Sequence, residues 1–152
     1  MAGSSGFSLE YAIAAASVDL RAVPVVSRAS IQSSPNQADT VTRMPHAQEL
    51  YGNTKSASEL IDYQAEGIVS KILLKTPSGS VTAFAFDAGQ ELSEHTTPFD
   101  ALVSVIDGEV DIRISGTTHR VSGGELIILP ANEPHALSAV SRFKMILTML
   151  KA

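Results

Sequence analysis

Two short stretches of this 152-residue chain hold the side chains that could do chemistry. The first begins at Gly89 and carries His95, Thr97 and Asp100 before it closes at Asp107-Gly108. The second begins at Gly124 and carries Pro130, Asn132, Pro134 and His135. In each, one histidine stands beside a turn at the end of a β-rich run. An imidazole can ligate a divalent ion, move a proton near neutral pH, or exchange hydrogen bonds with a polar ligand. The other two histidines carry less. His119 follows a turn in Gly116-Thr-Thr-His119 and reads as surface, and His46 is uninformative. The chain has no cysteine, which excludes disulfides, thiolate zinc sites and cysteine nucleophiles.

The elements that must position these histidines read as strands. From Gly67 onward the apolar pattern has a period of two. Ile68–Lys75 and Val81–Phe86 are strands joined by the turn Pro77-Ser-Gly79. Ala101–Ile106 ends at Asp107-Gly108, the strongest hairpin signal in the chain. Glu109–Ile114 alternates cleanly, with Val110, Ile112 and Ile114 on one face. A turn and a short strand follow within Gly116–Gly123. Leu126–Leu129 is continuously apolar, as a core strand would be, and His135–Val140 and Phe143–Leu150 complete the set. Short strands with Gly, Pro and Asp turns between them indicate an all-β sandwich or barrel, and a small jelly-roll barrel solves the edge problem at this size. No helical stretch is long enough for the crossovers of a parallel sheet.

Ahead of the strands the composition differs. Residues 1–45 read as a flexible leader or arm, with an alanine-rich stretch, Leu9–Val18, that could form a short helix. Residues 46–66 read as a short helical lead-in: Ser56-Ala-Ser-Glu59 has capping-box spacing, and the helix runs through about Tyr63. Residues 67–152 form the barrel. Net charge is −5 and the 11 basic residues are scattered, which argues against a nucleic-acid surface. No apolar run approaches the ~20 residues needed to cross a bilayer. The expected compartment is the cytoplasm, with an organellar leader left open by Arg21, Arg28 and Arg43 and opposed by Glu10, Asp19 and Asp39.

Over residues 67–150 the two histidine stretches resemble the cupin superfamily, in particular its small single-domain members. The first cupin motif is a glycine, five residues, His-x-His, a Glu and a closing glycine. Here Gly89 is followed by five residues and His95, and Gly108 closes the run. The second motif is a glycine, five residues, Pro-x-Gly and a histidine. Here Gly124, Pro130, Asn132 in the glycine position and His135 match. The segments Glu94-His-Thr-Thr-Pro-Phe-Asp-Ala-Leu-Val103 and Pro130-Ala-Asn-Glu-Pro-His-Ala-Leu137 are similar to the "EHTAPFDALV" and "PANVPHAL" of short cupins. The resemblance implies a jelly-roll β-barrel and a homodimer.

It also implies a metal site, of which only part is present. His95 matches the first ligand and His135 the last. Thr97 stands in place of the second His and Ala101 in place of the Glu. Asp100 is adjacent, and strand alternation points it to the opposite face unless a bulge or the turn after Pro98 rotates it inward. Rotated inward, it would complete a two-His-one-carboxylate set with His95 and His135 for one divalent ion: Fe, Zn, Mn, Ni or Cu. Two readings follow. The first is a small-molecule-binding cupin whose pocket centres on His95 and His135, with Thr97, Asp100, Ala101, Val103, Leu137 and Met145 around them and no firmly assigned cofactor. The second is a metal-dependent cupin enzyme, dioxygenase- or isomerase-like, using His95, His135 and Asp100. A metal-free variant pairs His95 as base with Asp100 as its orienter. A filled barrel serving only as an interaction module is the third possibility.

Overall fold

The computed structural model describes residues 45–151; the expected leader lies outside them. Two 3-10 turns, Pro45–Leu50 and Ala57–Glu59, precede nine strands. These are β1 (Ile68–Thr76), β2 (Gly79–Phe86), β3 (Glu91–His95), β4 (Asp100–Asp107), β5 (Glu109–Ile114), β6 (Thr117–Ser122), β7 (Leu126–Leu129), β8 (His135–Ala139) and β9 (Phe143–Leu150). They form a five-stranded sheet ordered β1-β2-β9-β4-β7 and a four-stranded sheet ordered β3-β8-β5-β6. The strand pairings within both sheets are antiparallel. The result is the all-β jelly roll expected from the strand pattern.

Alternation sets the core. On the five-stranded sheet Ala101, Val103, Val105, Phe143, Met145, Leu147 and Met149 are buried on the inner face. From the four-stranded sheet Leu92, Val110, Ile112, Leu137 and Ala139 meet them. Phe86 and Phe143 are both wholly buried and stack with ring centroids 4.5 Å apart. The outer face of β2 is covered too. Leu60 and Ile61 of the lead-in pack on Ala83, Ala85 and Leu73. Lys144 Nζ donates to Ser58 O at 2.6 Å and lies 4.7 Å from the Tyr63 ring, whose hydroxyl donates to Asp107 Oδ2 at 2.9 Å. Burial, then the Asp107 carboxylate, holds the Tyr63 phenol well above its ordinary range.

Three local expectations are corrected. The helix from Ser56 through Tyr63 is only the turn Ala57–Glu59; Ser56 makes no side-chain cap, its hydroxyl instead meeting Ser58 Oγ at 2.8 Å. Burial of Leu60 and Ile61 fixes this segment, so helical propensity does not decide its form. Asp107-Gly108 does not close a hairpin: β4 and β5 belong to different sheets, and the chain turns a barrel corner there. A Cβ on Gly108 would lie 2.0 Å from Arg142 O, so the glycine allows a close backbone approach as well as its φ of 78°. Ser115-Gly116, with φ of 47° and 85°, is a two-residue hairpin turn between the paired residues Ile114 and Thr117, and Pro77-Ser78 makes another between Thr76 and Gly79. Finally, β7 is an edge strand, with Leu126 and Ile128 65% and 60% exposed.

Candidate functional site

β3, which sequence reasoning missed as a strand, carries His95. Leu92 pairs with Leu137, but His95 pairs with His135, so β3 advances one residue more than β8 between the two pairs. This bulge has a simple effect. A regular strand with Leu92 buried would turn Glu94 inward and His95 outward. The extra residue reverses the phase, placing Glu94 outside, where it meets Arg113 at 3.3 Å, and bringing His95 beside His135. The signal in the sequence was Glu91-Leu-Ser-Glu-His95, which has a single aliphatic residue and no clean alternation.

His135 opens β8 and is 97% buried; His95 is half-buried. The two ring centroids are 4.5 Å apart in an edge-to-face arrangement. His95 Nδ1 lies 2.7 Å from Ser93 O, and His135 Nδ1 lies 2.9 Å from Glu133 O. A carbonyl oxygen only accepts, so each Nδ1 carries the proton, and in the neutral ring the lone pair is on Nε2. Among the described residues, neither Nε2 has a protein hydrogen-bond partner. Burial holds the His135 imidazole below its ordinary pKa; the bond to Glu133 O opposes this and neighbouring His95 adds to it. His135 is therefore a neutral acceptor at physiological pH.

The turn before β8 is tied down at several points. Ala131 N donates to Asp100 Oδ1 at 2.8 Å, and Asn132 N donates to Thr97 O at 2.7 Å. Ser115 N donates to Pro134 O at 2.8 Å, and Ser115 Oγ bonds the Glu133 carboxylate. Asn132 takes φ of 65°, the left-handed conformation that a glycine adopts freely and asparagine tolerates.

The remaining expected residues fall in two groups. Thr97, Ala101, Val103, Leu137 and Met145 are all buried. The Thr97 hydroxyl donates to Phe99 O at 3.1 Å. Asp100 is exposed, on the opposite side of β4 from Ala101, and its carboxylate holds the Ala131 amide. The bulge that would have turned it inward is absent at that end: the register shift of β4 against β9 lies between Val105 and Asp107. Among the described residues no three His, Asp or Glu side chains gather as a metal site. The donor set is thus two imidazoles, short of the three protein ligands of a catalytic zinc or facial iron site. Neither the metal triad nor the His95–Asp100 acid–base pair is assembled.

A family model described as a cupin domain matches residues 83–150. Among solved structures, the chain is similar to a conserved protein of unknown function from Streptococcus pyogenes. The identity is 31% and the TM-score 0.65, over 77% of this chain and 98% of that one. A cupin superfamily protein from Desulfitobacterium hafniense is 26% identical with a TM-score of 0.60, over 63% of this chain and 87% of that chain. A cupin 2 conserved barrel domain protein from Leptotrichia buccalis is 41% identical with a TM-score of 0.60, over 62% of this chain but 46% of its own length. No curated protein matches the chain. Two antiparallel sheets in jelly-roll order, paired glycine–histidine motifs and these relatives agree: the chain belongs to the cupin superfamily.

Proposed function

We infer that this cupin binds a small organic molecule through His95 and His135. The observation that carries the reading is the pair of unpartnered Nε2 atoms on adjacent rings whose Nδ1–H groups are already held by Ser93 O and Glu133 O. Two fixed acceptors beside the apolar side chains of Leu92, Leu137 and Ile112 suit a ligand that presents hydroxyl or amine donors. A sugar or a small hydroxy acid has that chemistry. Pairing of two copies, which membership of the superfamily suggests, belongs to the same reading.

One observation favours a second reading. A ring whose Nδ1–H is held by a carbonyl is oriented to ligate a metal through Nε2, and both rings are so held. The two rings would hold one divalent ion only if the bound molecule or water supplied the remaining ligands.

Both readings are separated by one pair of measurements on the full chain and on a His95→Ala/His135→Ala variant. Thermal-shift screening with sugars and small hydroxy acids is expected to find a ligand that raises the parent's melting temperature and leaves the variant's unchanged. Elemental analysis without chelators or an affinity-metal step decides the rest. Near-stoichiometric metal in the parent alone would establish the second reading. Ligands that shift both proteins equally would sink the first.

A further inference from the structure

β6 carries two polar side chains on the face that its sheet turns inward. Its register with β5 runs without a break: Val121 opposes Val110, His119 opposes Ile112, and Thr117 opposes Ile114. Directly opposed residues of an antiparallel pair share a face. Val110, Ile112 and Val121 are buried in the core, so His119 and Thr117 stand on that inner face too. Arg120 stands on the outer face, where its guanidinium meets the Asp111 carboxylate at 2.8 and 2.9 Å. His119 and Thr117 are nevertheless exposed. The sheet order gives the reason. β6 ends one sheet, β7 ends the other, and among the described residues the two are not paired with each other. The turn Ser122–Glu125 joins them at one end, and the inner face is uncovered toward the other, where Thr117 begins β6. Among the described residues neither the His119 ring nor the Thr117 hydroxyl has a protein hydrogen-bond partner.

The same face leads to the histidine pair. Ile114 opposes Thr117 on one side and His135 on the other, and His135 opposes His95. One row therefore runs from two imidazoles over a half-buried apolar side chain to a hydroxyl, with His119 at the outer end of the next row. We propose that Thr117 and His119 form the far end of the ligand site, and that the ligand is a pentose, a hexose or the matching polyol. The span sets the size. With strands about 4.8 Å apart and residues about 3.4 Å apart along a strand, Thr117 and His119 lie about 10 and about 12 Å from His135. Side chains on one face stand roughly parallel, so a hydrogen bond of about 2.8 Å at each end leaves about 4–6 Å for the ligand. A sugar ring or open sugar chain covers that distance. Glycolate or lactate, whose hydroxyl and carboxyl groups are adjacent, reaches the histidine pair alone. The chemistry agrees with the size. Imidazole and hydroxyl groups both donate and accept, as ligand hydroxyls do, and Ile114 lies where the C–H face of a sugar would rest.

This deepens the reading of His95 and His135 as a binding site and rests on it. The full chain, His119→Ala, Thr117→Val and the His95→Ala/His135→Ala variant are titrated calorimetrically with pentoses, hexoses, their polyols, glycolate and lactate. A sugar or polyol is expected to bind the parent more tightly than either short acid does. Its affinity should fall about five-fold in His119→Ala and in Thr117→Val, the loss of one hydrogen bond each, and vanish in the double variant. Any binding of glycolate or lactate should be indifferent to the two β6 replacements. Sugar binding that both β6 variants keep and the double variant loses would overturn the far end and leave the histidine pair standing. So would short acids that bind as tightly as the sugars. Sugar binding that survives the double variant, or a panel in which nothing binds the parent, overturns both.

Discussion

At the scale of single residues, the role of His135 as an acceptor depends on its being neutral. Its ring is buried, and its protonated form is disfavoured first by that burial. An unfolded chain accepts this proton near pH 6.5, the ordinary histidine value. Stability therefore falls as pH is lowered through that range, down to the depressed value of the folded imidazole. Urea unfolding at about pH 8 and about pH 5.5 checks this. The parent should lose more of its midpoint than His135→Asn, whose amide can still reach Glu133 O but does not titrate. Asp100 has a different role from the one its position suggested. As the acceptor for Ala131 N, it steadies the turn that carries His135. Asp100→Ala should cost about 1 kcal/mol and weaken ligand binding, whereas Asp100→Asn, which keeps an acceptor oxygen, should retain most of both. Denaturant titration and ligand thermal shifts read the two effects. An effect of Asn as large as that of Ala would argue that the carboxylate charge matters and that the turn does not.

At the scale of elements, the strands richest in β-branched and aliphatic residues were legible. Phe143–Leu150 and Leu126–Leu129 were read with the bounds that β9 and β7 have. Their apolar content marks them as strands wherever they pack. What periodicity could not give was each strand's neighbours. Leu126–Leu129 reads as core and lies at an edge, because four apolar residues look alike in either place. Asp107-Gly108 reads as a hairpin and is a corner, because a glycine with positive φ serves both. The least legible feature was the bulge in β3, one unpaired residue with no compositional mark. It also makes the sharpest prediction at this scale. Deleting Glu94 removes the extra residue and restores regular alternation, with the histidine two places after Leu92 and still opposite His135. The protein should keep its strand signature, melt within a few degrees of the parent and keep its ligand response, which His95→Ala loses. Loss of that response on deletion would show that the bulged form of β3 itself sets the aim of His95.

At the scale of the whole molecule, the motif spacing that gave the fold also gave the two histidines, since both sit on strand ends fixed by the sheet order. The absence of two of the family's ligands was equally legible in Thr97 and Ala101. Which way Asp100 turns was not, because that depends on register across three strands. The core is expected to tolerate little. Phe143 is wholly buried and stacks on Phe86, so Phe143→Ala should cost about 3–5 kcal/mol and lower the chemical-denaturation midpoint accordingly. The site and the core respond to different changes. Among the described residues β3 is the outermost strand of its sheet and pairs with β8, so an irregularity in it disturbs one ladder. The extra residue bulges out between Leu92 and His95 and leaves His95 opposite His135 while the rest of the barrel stays in register. Within a scaffold of this kind, a codon can be lost from that segment while the paired acceptors and the stability are both kept. Chemistry in this barrel is cushioned against changes of length in the strand that carries it.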